Sequence, residues 1–171
     1  FVDIGLDKAA FLHASDIVQR DANDLEVKMT QVKDIRQLVH DGQFLLVQVV
    51  KDPLGTKGAR LTTDITLPSR YLVFMPGSPH VGVSQRIETE EERNRLREIV
   101  SSCVDQESGG FIVRTAAEGA SEEELLHDAR FLKKLWAKVQ KRRQKHRKEA
   151  MLYEELSLGF RILRDLVGSD L

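Results

Sequence analysis

Two helix-start signatures flank one glycine-led apolar run, and this arrangement narrows the fold more than any other feature of the chain. Thr89-Glu90-Glu91-Glu92 and Ser121-Glu122-Glu123-Glu124 each set a hydroxyl at an N-cap and a carboxylate three residues on, where each can satisfy the other's orphan amide. Apolar residues follow at helical spacing: Leu96, Ile99, Val100 and Cys103 after the first, and Leu125, Ala129, Leu132, Trp136 and Val139 after the second. Between them, Gly109-Gly110-Phe111-Ile112-Val113-Arg114-Thr115 is a β-type run ending on a cation and a hydroxyl. Upstream, Tyr71-Leu72-Val73-Phe74-Met75 is a further strand, with Pro68 and Pro76-Gly77-Ser78-Pro79 as its breakers, and residues 81–87 can pair with it. The order strand, strand, helix, strand, helix predicts an α+β layer.

The first 63 residues follow a different pattern. Phe1-Val2-Asp3-Ile4 and Ala10-Phe11-Leu12-His13 read as a hairpin, residues 19–31 as a polar loop, and residues 32–39 as a short helix before Gly42. A second hairpin joins Phe44-Leu45-Leu46-Val47-Gln48-Val49-Val50 to Ala59-Arg60-Leu61-Thr62-Thr63 through the turn-rich Lys51-Asp52-Pro53-Leu54-Gly55-Thr56-Lys57-Gly58. Short strands with polar loops predict a small barrel. At the other end, residues 138–148 form a basic run with no acid, suited to the negative end of a helix dipole or, less commonly, to phosphate-backbone contact. Leu152, Leu156, Phe160, Leu163 and Val167 then share one stripe that needs a partner surface.

The 171 residues carry 41% hydrophobic side chains, enough for a folded core. A formal net charge of -1 provides no global attraction to nucleic acid, so any such binding is local. Cys103, the sole cysteine, excludes an internal disulfide and a thiolate-rich zinc site within this chain, and fits a reducing cytoplasm. No apolar run reaches the roughly 18 to 20 residues of a membrane span. The start at Phe1, in a strand-like run without methionine, reads as that of a fragment.

No catalytic constellation stands out. His13, His40, His80, His127 and His146 are scattered, and no hydrolase elbow or Walker-type phosphate loop is present. Binding elements remain. Arg114 and Thr115 can surround one phosphate, or they are a strand end with an exposed arginine. Phe1 and Phe11 can stack unpaired bases while Lys57 holds a phosphate chain, although pattern alone reads both rings more readily as core.

Phe1-Val2-Asp3-Ile4-Gly5, Phe11-Leu12-His13-Ala14-Ser15-Asp16-Ile17, Val47-Gln48-Val49 and Lys57-Gly58-Ala59-Arg60-Leu61-Thr62-Thr63 resemble the later strands of an OB-fold RNA-binding barrel of the ribosomal-protein S-one type. The continuation through Leu67-Pro68-Ser69-Arg70-Tyr71-Leu72-Val73-Phe74-Met75-Pro76, Ser84-Gln85-Arg86-Ile87-Glu88 and Gly110-Phe111-Ile112-Val113-Arg114-Thr115-Ala116 resembles the bacterial ribonuclease E/G endoribonucleases, nearer the ribonuclease G branch. The resemblance covers essentially the whole chain. It implies a partial OB-fold barrel over residues 1–63, a small α+β 5′-sensor subdomain over residues 64–149, and over residues 150–171 an amphipathic helix that starts the return into an RNase H-like subdomain.

It also implies roles. Phe1, Phe11 and Lys57 match positions that clamp single-stranded RNA, and Arg114 with Thr115 matches the pair that recognises a 5′-monophosphate. Ser69 and Val73 match positions that assist through main-chain and apolar contacts, with Ser69 standing where the ribonuclease E branch has glycine. The family hydrolyses RNA with magnesium held by aspartates in a later subdomain, and joins protomers of a homo-oligomer through zinc held by paired cysteines. The expectation is therefore a cytoplasmic, substrate-recognising segment with no catalytic residue, metal ligand or cofactor of its own. Alternatives are a stand-alone RNA-binding regulatory module without nuclease activity, and a helical interaction protein working through residues 121–148 and 152–167.

Overall fold

The computed structural model describes residues 1–18, 34–104 and 109–166. The predicted loop at residues 19–31, the first two residues of the predicted helix at 32–39, and Val167 lie outside them. The described residues form an α+β fold with two mixed sheets, each over its own apolar cluster.

The first sheet contains β1 (Phe11–Leu12), β2 (Gln48–Lys51) and β3 (Arg60–Thr62), in the order β1-β3-β2, with the short helix α1 (Ile35–Leu38) between β1 and β2 in the chain. β2 and β3 are antiparallel, as the second predicted hairpin requires, while β1 runs parallel to β3. The first predicted hairpin is reduced to one bridge, in which Val2 and Ala10 exchange N–H···O bonds of 2.9 and 2.8 Å. Alternation along these strands buries Leu12 and Leu61 with Ala10 and Ala59 and turns Phe11 and Arg60 outward.

The second sheet contains β4 (Leu67–Pro68), β5 (Leu72–Met75), β6 (Val81–Val83) and β7 (Gly110–Val113), in the order β4-β5-β7-β6. Residues 81–87 thus do not pair with β5. β7 lies between, antiparallel to β5 and parallel to β6. The glycine pair makes this insertion possible: a Cβ on Gly110 would fall 2.0 Å from the His80 carbonyl oxygen, and Gly109 has φ +109°. Pro68 is likewise not a breaker but part of β4, an edge strand where a missing N–H costs nothing.

Helices α2 (Glu90–Ser101) and α3 (Glu122–Lys145) cover one face of this sheet. Leu72, Phe74, Phe111 and Val113 are fully buried with Leu96, Val100, Leu125 and Leu132, and the Phe74 and Phe111 rings lie 5.1 Å apart. The Ser121 and Glu124 capping box on α3 is complete. At α2 only half forms: the Thr89 hydroxyl accepts the Glu92 N–H at 3.3 Å, but the Glu92 carboxylate turns instead to Arg95 and to the Gly119 N–H. Two charge-assisted bonds to arginine outcompete one backbone amide.

The basic run covers the C-terminal end of α3 and the three residues after it; Val139 within it is buried, while its lysines and arginines are exposed, with Arg142, Arg143 and Lys145 in the last turn. Only residues 158–166 of the final stripe are helical, as α4 (Leu158–Leu166). Its Phe160 and Leu163 are exposed, while Leu152, ahead of the helix on the same stripe, is half-buried. Among the described residues no helix is long and apolar enough to cross a membrane.

Candidate nucleic-acid interface

Arg114 leaves β7 directly after buried Val113, so the strand's alternation turns it to the face opposite the helices. Its backbone N–H continues the ladder to the Tyr71 carbonyl at 2.8 Å. In the side chain, Nη1 donates to the Ser69 carbonyl and, at 3.1 Å, to the Arg70 carbonyl. Nε and Nη2 make no hydrogen bond among the described residues. Nη1 thereby spends both its protons on the protein. Of the three remaining guanidinium N–H groups, Nε–H and one Nη2–H lie on the edge that grips an oxyanion at two points.

Thr115 follows, exposed at the start of a single 3₁₀ turn (Thr115–Ala117). Its hydroxyl also has no hydrogen bond among the described residues. Val73 pairs directly with Ile112, two residues before Arg114 and on the same face, and Ile112 is 38% exposed. The pair gives the guanidinium an apolar flank.

Ser69 contributes its carbonyl to Arg114, while its hydroxyl points inward. The side chain is buried, with Oγ 2.6 Å from the Asp128 carboxylate and 2.9 Å from the Leu72 carbonyl. The same Asp128 oxygen accepts the N–H groups of Tyr71 at 3.0 Å and Leu72 at 3.1 Å. One carboxylate oxygen on α3 therefore gathers the turn that holds Arg114. Sequence reading passed over Asp128, although an acid among Leu125, Ala129 and Leu132 on the inward side of a helix is a signal that something polar is being held there. Beside it, the Tyr71 hydroxyl donates to Glu124 at 2.8 Å; burial first, and this bond second, raise its pKa above the usual 10.0. Glu124 is lowered in turn, by the Ser121 backbone N–H first and by the Tyr71 hydroxyl next.

On the first sheet, Phe1 and Phe11 are not core residues: they are 92% and 44% exposed, with ring centroids 5.9 Å apart. His13 extends the row, its ring 6.0 Å from that of Phe11 and fixed by the Ser15 N–H at 3.2 Å. Sequence reading weighed His13 only as a metal ligand, yet its spacing of two from Phe11 already placed it on the same side of an extended chain. The turn Leu54-Gly55-Thr56-Lys57 is closed by reciprocal bonds of 3.2 and 3.0 Å between Leu54 and Lys57, which leaves the Lys57 side chain exposed. A second cation gathers there, because the Lys8 ammonium donates to the Gly55 carbonyl. Phe11 N–H donates to the Ala59 carbonyl at 2.7 Å, so this turn emerges beside the aromatic row.

The structure thus groups Arg114, Thr115, Val73 and the Ser69 carbonyl at the second sheet, and Phe1, Phe11 and Lys57 at the first. Among the described residues no three His, Cys, Asp or Glu side chains are placed to hold a metal ion.

The chain is 62% identical to ribonuclease G of Salmonella typhimurium (strain SL1344) over 174 residues, covering 100% of this chain and 35% of the relative. Against ribonuclease G of Escherichia coli (strain K12) the identity is 61% over 173 residues, with the same coverage. Ribonuclease E of Nostoc sp. (strain PCC 7120) is 41% identical over 171 residues, covering 99% of this chain and 24% of the relative. The chain therefore spans about a third of the length of the ribonuclease G relatives it matches. Residues 66–171 match the ribonuclease E/G family, and with the identity to ribonuclease G across the whole of this chain they show that it belongs to that family.

Proposed function

We propose that this chain is the RNA-recognition segment of a single-strand-specific endoribonuclease of the ribonuclease E/G type, acting in RNA processing and decay. Phe1, Phe11 and His13 offer ring faces to unpaired bases, and Lys57 with Lys8 meets the phosphate chain. Arg114 and Thr115 take the 5′-monophosphate, with Val73 and Ile112 as the apolar flank and Ser69 acting through its main chain. The observation that carries the reading is the Arg114 guanidinium itself, with Nη1 tied to two carbonyls and its two-point edge left for an anion. A monophosphate fills that edge and the neighbouring hydroxyl, whereas a 5′-hydroxyl leaves both without a partner.

On this reading the parent enzyme is a homo-oligomer whose magnesium-dependent hydrolysis and zinc link use residues outside these 171. No step of cleavage is assigned to the residues of this chain. Titration of the chain with one single-stranded oligoribonucleotide, carrying either a 5′-monophosphate or a 5′-hydroxyl, tests the proposal. Tighter binding of the monophosphate form is expected. Equal affinities would remove the sensor function and leave an RNA-binding surface alone.

A further inference from the structure

The geometry points to Asp128 as the positioning residue that aims Arg114 at its anion. This inference rests on the phosphate-reading role of Arg114 proposed above. A freely rotating arginine side chain keeps much rotamer entropy, most of which a useful phosphate contact has to overcome on binding. Here that ordering occurs in advance. Both Nη1 protons go to the carbonyls of Ser69 and Arg70, and because the guanidinium is planar, fixing Nη1 also fixes the direction of the Nε and Nη2 edge.

Those two carbonyls depend on Asp128. They belong to the turn between β4 and β5, where the chain leaves an edge strand and its backbone is held by the Ser69 N–H to the Leu72 carbonyl and by the Arg114 N–H to the Tyr71 carbonyl, each at 2.8 Å. Asp128 Oδ2 draws in Ser69 Oγ, Tyr71 N–H and Leu72 N–H at 2.6, 3.0 and 3.1 Å. With the inward-facing groups of the turn occupied by one carboxylate oxygen, the carbonyls of residues 69 and 70 face the other way, toward Arg114. The line of support runs from the rigid helix α3 through Asp128 and the turn to the guanidinium. Asp128 need touch no RNA to set how well the 5′ end is read.

The test uses the full chain and the same RNA in 5′-monophosphate and 5′-hydroxyl forms, with the ratio of the two affinities as the readout. Asp128→Ala is expected to lower that ratio roughly tenfold while leaving 5′-hydroxyl binding unchanged, a loss on the scale of one charge-assisted bond. Asp128→Asn, which keeps an acceptor oxygen in place, is expected to recover part of the ratio. Ser69→Ala removes only the hydroxyl contact and is expected to lower the ratio roughly threefold. It decides the matter if Asp128→Ala does not fold. A purely structural role would weaken both RNAs together or lower thermal stability with the ratio intact, and either result overturns the inference. Arg114→Ala separates the two levels. If it leaves the ratio unchanged, the sensor reading falls and Asp128 with it. If it abolishes the ratio while Asp128→Ala and Ser69→Ala preserve it, only the positioning role falls.

Discussion

The rings on the first sheet and the guanidinium on the second are held in opposite ways. Phe1, Phe11 and His13 stand out from a sheet whose buried residues are Ala10, Leu12, Ala59 and Leu61, and their neighbours are mostly one another. Arg114 projects from a sheet backed by two long helices and by Phe74, Phe111, Leu125 and Leu132, and its support is polar, directional and partly buried. The contrast matches what each part of the proposed RNA ligand would demand. Any base offers a π face, so a stacking platform tolerates tilt and exposure. A terminal phosphate is recognised by direction, which needs a frame that does not move.

The sharpest way to break this comparison is to attack the two cores. Phe111→Ala should cost about 3 to 5 kcal/mol, because a fully buried ring packed against Phe74 leaves a cavity that strands and helices cannot close. Leu61→Ala should cost nearer 2 kcal/mol, since a cluster built around two alanines leaves less packing to lose. Urea unfolding followed through Trp136, which packs against the larger core, measures the first directly, and circular dichroism measures both. Equal costs would mean that the two sheets do not differ in packing as described.

The next effect in size concerns the ligand. Arg114→Ala should weaken binding of 5′-monophosphorylated RNA by about 1.5 to 3 kcal/mol, the range of one charge-assisted contact, and leave 5′-hydroxyl RNA nearly unchanged. Equal losses in parallel titrations would show that Arg114 adds general charge instead of reading an end.

The comparison also explains what was legible in the sequence. Helical spacing and caps identified α2 and α3 because those signals are local, and the apolar alternation of β5 and β7 did the same for the strands. Sheet order was not local. Nothing in residues 81–87 says that β7 will separate them from β5, although the glycine pair that permits it was visible. The half-formed cap at Glu92 was missed for a different reason: its main competitor, Arg95, is three residues away and was not weighed, and only the second, Gly119, lies 27 residues away. Arg114 and Thr115 were singled out as a pair because they adjoin in the chain, whereas Asp128 supports them from 14 positions further on and across a sheet. Phe11 was placed between core and surface until pairing with β3 decided which face it takes.

A smaller effect is expected on the platform. Phe11→Ala should weaken single-stranded RNA by about 1 to 2 kcal/mol, the lower part of what one stacked base contributes, because Phe1 and His13 remain to receive a base. The loss should be the same for both 5′ ends. An end-dependent loss, measured with the two RNA forms used for Arg114→Ala, would mean that the platform and the sensor are coupled.

The smallest effect concerns the frame of the second sheet and depends on pH. Arg95 grips Glu92 with two bonds of 2.7 Å and reaches the Ala120 carbonyl at 3.0 Å, while Glu92 also accepts the Gly119 N–H at 3.0 Å, so the start of α2 is tied to the loop that leads into α3. The Arg95 fork first, and the Gly119 N–H second, lower the Glu92 pKa from 4.5 to about 2. A carboxylate lowered on folding stabilises the fold above its unfolded value, and that contribution is lost as pH falls through the folded value. The stability gap between the wild type and Glu92→Gln should therefore be full above pH 4.5 and close as the pH approaches about 2. It should be modest throughout, because the Arg95 side chain is 40% exposed and water screens the pair. Urea midpoints of both proteins across that range measure the gap. A gap that stayed constant would assign the effect to lost hydrogen-bond geometry, and one that widened in acid would reverse the sign and remove Glu92 from the frame.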